Sequence, residues 1–402
     1  MINSIFCKHA LLVSVASLLI IGCNQEDIQQ TSDNNPTIKL LFIGQITDTA
    51  NATSTPEAAD GVKAAVASIN AAGGILNTPL ELLICDEKAD PNEAAKCARK
   101  AARENVVATV GNVSNHGNVI LASLEKAGIA SIGHLPLSPL DFSSPVAFPL
   151  HGGAPAQVTG ATQLLAAQGA QRIRVASVDS LAGSLALNFA QAALEGTESE
   201  VVGATLIPIG APDYASYTNS LISDSDGIII STNADQAARI IVALRQGGVT
   251  QPISASAAAL LPNTLKQLGA AAEGIYVAAN FQPASANGKT YLQFVADMKK
   301  YAPDAKNTVF SIQSWLAPHV LKAAILSDDR YQSHSDITAK NVLDTLDNLS
   351  ALNIGDLTPN LTTSISLDEP YNRLFIDQVV YGKVVNGEII MIDDKWHATV
   401  NR

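Results

Sequence analysis

Three polar residues in a row, Ser114-Asn115-His116, follow the apolar run 106–110 and the turn Gly111-Asn112. So short a run of β-branched residues reads as a buried strand. In an open α/β sheet, ligands lie beyond the carboxyl ends of the strands. Hydroxyl, amide and imidazole groups there can grip a carboxylate or a carbonyl, and the N–H groups of a following helix favour an anion. The same Ser and Asn side chains also cap helices, so the two roles compete. His134 closes a second loop of this kind, and Asp179, Asn233 and Ser256 end later strands with the same choice between cap and ligand contact. His151 falls where the pattern restarts, which suits a hinge better than a contact. Trp315 lies on a helical stretch and reads as packing.

Bond-making chemistry finds no support. No Gly-x-Ser-x-Gly elbow exists, and no Gly-x-Gly-x-x-Gly follows a strand. Asn287-Gly288-Lys289-Thr290 mimics the end of a phosphate loop, but Pro283 stands where the first glycine is required. His116, His134 and His151 lack metal spacing. These observations count against a metal site and leave an enzyme a distant third reading, with no cofactor expected. A formal charge of −12 excludes a nucleic-acid binder, which needs a basic face.

The elements that must position these loops alternate regularly. Strands are expected at 38–43, 80–85, 106–110 and 129–132, with helices between them. The first helix opens on Ser54-Thr55-Pro56-Glu57, a Ser-x-x-Glu capping box, and the second on Asp90-Pro91-Asn92-Glu93. After 148–153 the plan repeats: strands at 173–178, 201–207, 227–231, 252–256 and 274–278, and helices near 155–167, 214–223, 235–247 and 260–268. Helices near 290–301, 309–327 and 338–349 follow, then extended segments at 365–367, 374–385 and 388–392, with a hairpin at Asn386-Gly387. This is an α/β pattern of two doubly wound parallel sheets. Two domains suit 402 residues, since one core rarely grows past about 250–300.

The N-terminus has the marks of export. An apolar run at 10–22 after Lys8 fits the core of a secretory signal over 1–22, and it is too short to span a bilayer. Ile20-Ile21-Gly22-Cys23 resembles the bacterial lipoprotein box, which implies lipidation of Cys23. Asn24 after the cysteine implies the outer membrane if the cell has two. Residues 23–37 are polar and aperiodic and read as a tether. Cys85 and Cys97 then remain as an even pair in an oxidising compartment, expected to form a disulfide, with two buried thiols as the alternative.

From residue 38 onward, the order of motifs resembles type I periplasmic solute-binding proteins of the leucine/isoleucine/valine-binding kind. The residues carrying it are Ile69-Asn70-x-x-Gly73-Gly74-Ile75, Asp90-Pro91-Asn92-Glu93-Ala94, Val110-Gly111, Ala127-Gly128-Ile129 and Leu244 to Gly248. The resemblance implies two lobes, 38–150 plus 281–364 and 151–280 plus 365–402, joined by three crossings and closing on a ligand. It implies a small polar organic solute (amino-acid-like, amide or carboxylate), an ABC permease of the inner membrane as partner, and a monomer. A ligand sensor on the same lobes is the alternative. The family's carboxylate-holding serine falls at Asn115 or Ser114, and the next loop's contacts fall at Leu135 and Leu137. The family's pocket tyrosines fall at Ala182 and near Asn233, and the acid that pairs with the ammonium falls near Ala257. The implied ligand is therefore larger or less polar than a standard α-amino acid.

Overall fold

The computed structural model describes residues 36–49, 54–363 and 373–399, without the side chains of Leu181 and Ala182. The signal over 1–22, Cys23 and nearly all of the tether lie outside the described residues, as does the extended segment expected at 365–367.

β1 (Ile38–Gly44), β2 (Leu80–Asp86), β3 (Ala108–Val110), β4 (Ala130–Ile132) and β5 (Ala147–Phe148) form a parallel sheet in the order β2-β1-β3-β4-β5. This is a doubly wound arrangement whose switch point lies between β1 and β3. The strands are nearly continuous apolar runs because helices cover both faces: α1 (Pro56–Ala71), α2 (Pro91–Arg103), α3 (Gly117–Ala127) and the short α4 (Pro139–Ser143). Asn112 ties the strand ends together. Its Oδ1 accepts from the Ile43 amide (2.8 Å), while its Nδ2 donates to Thr109 Oγ1 (2.9 Å) and Ser131 Oγ (3.2 Å).

The Asp90 cap forms, its carboxylate accepting from the Asn92 and Glu93 amides. The expected Ser54–Glu57 box does not. Thr55 takes the cap position without a side-chain bond, and the Ser54 amide and hydroxyl both turn to Asp48 Oδ1 (2.7 Å each). Asp48 offers a full carboxylate to both donors at once, which out-competes a single cap bond.

Cys85 at the end of β2 and Cys97 in α2 are joined by a disulfide, with Cα atoms 5.6 Å apart. It pins the amphipathic helix to the sheet edge. Replacing both cysteines by alanine is expected to lower unfolding free energy by about 3 kcal/mol, from the entropy of closing a loop of this length. Urea titrations of both proteins with and without dithiothreitol check this; equal midpoints without reductant would refute it.

The second sheet has seven strands in the order β12-β11-β10-β9-β8-β6-β7. β6 (Arg172–Val178), β7 (Glu200–Ile207), β8 (Gly227–Ser231), β9 (Ile253–Ser256) and β10 (Tyr276–Ala279) run parallel. β11 (Gln378–Val385) and β12 (Glu388–Ala398) add an antiparallel edge. Asn386 and Gly387, at φ 52° and 81°, make the tight turn between them, as that dipeptide does in two-residue hairpins. α5 (Gly153–Ala167), α6 (Leu181–Ala192), α7 (Ala215–Ile222), α8 (Ala234–Gln246) and α9 (Pro262–Leu268) flank this sheet.

The late helices α10 (Lys289–Tyr301), α11 (Val309–Leu326) and α12 (Ala339–Asp347) return to the first sheet. Phe294, Trp315, Leu316 and Val320 share one core with Leu40, Val62, Val110 and Ile132. Gly111 makes this docking possible. Its φ of 65° suits glycine, and a Cβ there would lie 2.7 Å from Ser314 Cα, whose side chain instead donates to Gly111 O (2.7 Å). The chain thus passes between the two sheets after β5, after β10 and again before β11.

Candidate functional site

A cavity of about 940 Å³ opens between the two sheets. The first-sheet side supplies Leu135, Pro136 and Leu137 from the loop after β4, Tyr291 of α10, and Phe310 and Ile312 at the start of α11. The second-sheet side supplies Ile229 and Ile230 of β8, then Ala257, Leu260 and Leu265 beyond β9. Phe281 and Gln282, on the second crossing, close the back. Three helix starts reach the lining: Gly153 and Ala154 of α5, Ser180 and Gly183 around the first turn of α6, and Thr308 and Val309 of α11. Among the described lining residues only Glu388 carries a formal charge at neutral pH, and it is exposed on the β11–β12 hairpin.

His151 is the best-anchored polar group of the lining. Its Nδ1 accepts from the Gly153 amide (3.0 Å) and faces Asn280 Nδ2 (3.1 Å), so the ring proton resides on Nε2 and is donated to Gln313 Oε1 (2.7 Å). Gln313 Nε2 in turn donates to Gly133 O (2.9 Å). The chain of bonds links the first crossing, the second crossing, α11 and the end of β4. Burial lowers the His151 pKa to about 4, so the ring is neutral at physiological pH. Asn280 Oδ1 is buried with no hydrogen-bond partner.

Leu135, Leu137, Ser256 and Ala257 line the cavity. Ser114, Asn115, His116, His134, Asp179 and Asn233 do not. Ser114 is buried beside Glu87: its hydroxyl donates to Glu87 Oε2 and accepts from the His116 amide (2.9 Å). Burial raises the Glu87 carboxyl above the usual range, against the pull of that hydroxyl bond. Asn115 is exposed, and His116 occupies the cap position of α3. His134 lies under the surface with Nδ1 3.2 Å from Ser131 O and Nε2 3.2 Å from Asp141 O. Asn112, Ser114, Ser131, His134 and Asp141 surround a void of about 10 Å³, room for one water at most. Asn233 caps α8 through the Gln236 amide (3.0 Å), and Asp179 is exposed and off the lining. Ala182 sits in the first turn of α6, its side chain outside the described atoms. Local backbone donors claim Ser114 and Asn233. Ser256 Oγ accepts from the Ala259 amide (3.2 Å) in the turn after β9, and the residue lines the cavity.

Gln157, Gln282, Phe310 and Gln313 were not foreseen. The one available signal was Gln313 itself, a polar residue in the apolar helix Ser311-Ile312-Gln313-Ser314-Trp315. A buried amide needs partners, and its place promised a polar contact nearby.

Residues 37–369 match the model of a periplasmic binding protein family. Solved structures of the same fold include an extracellular ligand-binding receptor from Verminephrobacter eiseniae, 18% identical, covering 88% of this chain and 100% of that one at a TM-score of 0.73. A fatty acid ABC transporter substrate-binding protein from Thermomonospora curvata is 17% identical, covering 89% of this chain and 92% of that one at 0.73. The branched-chain amino acid transporter substrate-binding protein of Streptococcus pneumoniae, solved with isoleucine, is 18% identical, covering 90% of this chain and 99% of that one at 0.69. No curated protein sequence matches the chain. Binding, not catalysis, is the work of this family, and it operates outside the cytoplasm. With two doubly wound sheets around a crossing-spanned cavity and a family match over most of its length, the chain belongs to the type I periplasmic binding proteins.

Proposed function

We propose that the protein is an exported receptor that captures an organic solute in the cavity between its sheets and delivers it to an ABC permease. Removal of residues 1–22 and lipidation of Cys23 would hold it to the envelope as a monomer. Lobe 1 is 38–150 plus 281–364 and lobe 2 is 151–280 plus 365–402, with hinge closure reporting occupancy to the permease. The observation that carries this reading is a cavity lined from both sheets and from two of the chain passages between them. Such a site changes shape when the hinge moves, as a transport receptor requires.

Ala257→Trp tests it. Ala257 is buried on the cavity wall, and an indole there fills space that the solute needs. In cells lacking the gene, one class of solute should no longer be depleted from the medium. The wild-type gene should restore depletion, and Ala257→Trp should restore it only at solute concentrations at least about tenfold higher. Identical depletion by deleted and wild-type cells would overturn the transport role and favour a sensor.

A further inference from the structure

We infer that the solute is lipophilic, larger than an α-amino acid and free of any ammonium group; this rests on the receptor reading above. Size comes first. A cavity of about 940 Å³ lies at the upper end of the roughly 300–1,000 Å³ range of pockets that enclose drug-sized molecules. A leucine-sized ligand would leave most of it to water. The walls come second. Leu135, Phe310 and Ile312 line it from the first-sheet side and Ala257, Leu260 and Leu265 from the second-sheet side, so a ligand that fills it meets apolar residues from both. Removing that surface from water is the main driving force open to the site.

Charge decides the third point. A buried ammonium needs a carboxylate, because an unpaired charge loses several kcal/mol of hydration. Among the described residues the sole acid of the lining is Glu388, exposed on the hairpin and screened by solvent. The position where the resembling proteins place their acid is near Ala257, an apolar residue here. His151 offers nothing to a cation, since Nδ1 already accepts from the Gly153 amide and Nε2 carries the proton. The starts of α5, α6 and α11 at the lining present the positive ends of their dipoles, which repel a cation further. The small polar solute suggested by the sequence therefore gives way to an apolar one.

Four probes on the full chain test this. The neutral fluorophore N-phenyl-1-naphthylamine should bind saturably, one per chain, and bind at least tenfold more weakly to Ala257→Trp. 1-Decanol should displace it, decylammonium should need at least tenfold more, and L-leucine should not displace it at millimolar concentration. Displacement by leucine, or by decylammonium as readily as by decanol, would overturn the ligand class while leaving the receptor reading intact. Naphthylamine binding that Ala257→Trp does not weaken would overturn the assignment to this cavity. Circular dichroism of the variant confirms that any loss is not a loss of fold. The receptor reading fails separately, on unchanged solute depletion by the deleted strain.

Discussion

Gly61→Ala is expected to lower unfolding free energy by roughly 2 kcal/mol and Gly61→Val by roughly 3 kcal/mol or more, the scale of forcing extra carbon into a packed core. Gly61 lies inside α1, where α11 crosses it. A Cβ built there falls well inside van der Waals contact of Ser311 O and 3.1 Å from Ser311 Cα. The obstacle is main chain, and Ser311 is held in place: its hydroxyl donates to Thr308 O (2.9 Å), and its amide is capped by Thr308 Oγ1. Neither helix can yield without opening the core that Val62, Leu316 and Val320 share. The sign is informative. In an exposed helix, glycine to alanine stabilises by about 1 kcal/mol, so a drop in the urea midpoint at constant slope isolates the interhelical contact. An unchanged or raised midpoint for Gly61→Ala would show that α11 stands further from α1 than described. Because α11 also carries Phe310, Ile312 and Gln313 to the cavity, the valine variant should weaken solute binding even in the fraction that folds.

That dependence marks where the sequence stops being legible. The alternation of apolar strands with capped helices, the Asp90 cap and the Asn386-Gly387 hairpin are local signals, set by hydrogen bonds a few residues long. They suffice for the α/β class and for most element positions. The strand β5, two residues long, and α4, five residues long, carry too little periodicity to stand out. The site fails to appear for a different reason. Ser114, Asn233 and Ser256 lie at or just beyond the ends of β3, β8 and β9, yet of the three only Ser256 lines the cavity. The difference lies in which backbone donor each turn brings within reach, and sequence types alone do not encode that. His151 and Gln313 are 162 residues apart, and their bond exists only because α11 returns to the first sheet. Placing α11 there came from the family resemblance; its own residues say only that it is an apolar helix.

Between pH 7.5 and pH 5 the protein should lose stability, with His151 and His319 each contributing on the order of 2 kcal/mol. Burial lowers both pKa values from 6.5 to about 4. The unfolded chain therefore takes up protons on these rings from about pH 6.5 downward, while the native protein takes none until about pH 4. Stability is full above the unfolded value and falls as pH drops through that window. The two rings resist protonation differently. His151 has its Nδ1 lone pair occupied by the Gly153 amide, so a second proton must break that contact. His319 packs on Trp315 at a centroid distance of 4.2 Å, and its Nε2 is buried with no partner. Nearby Asp297 favours the charged form of His319, but burial outweighs it. Glu87 works in the opposite direction: burial raises its pKa, so on acidification the native state binds its proton before the unfolded chain does, which opposes the loss. His319→Phe keeps the ring stacked on Trp315 and removes its titration. Urea unfolding at pH 7.5 and pH 5 should then show roughly half the wild-type loss. A variant that loses as much as wild type would mean that His319 ionises freely in the native protein. Imidazole ¹⁵N shifts of His151 should remain those of the Nε2–H tautomer at pH 5, because the hinge contacts to Gly153, Asn280 and Gln313 require that form. Acid that does protonate native His151, near pH 4, breaks those contacts together, so solute affinity should hold through the interval in which stability is lost and fall only near pH 4.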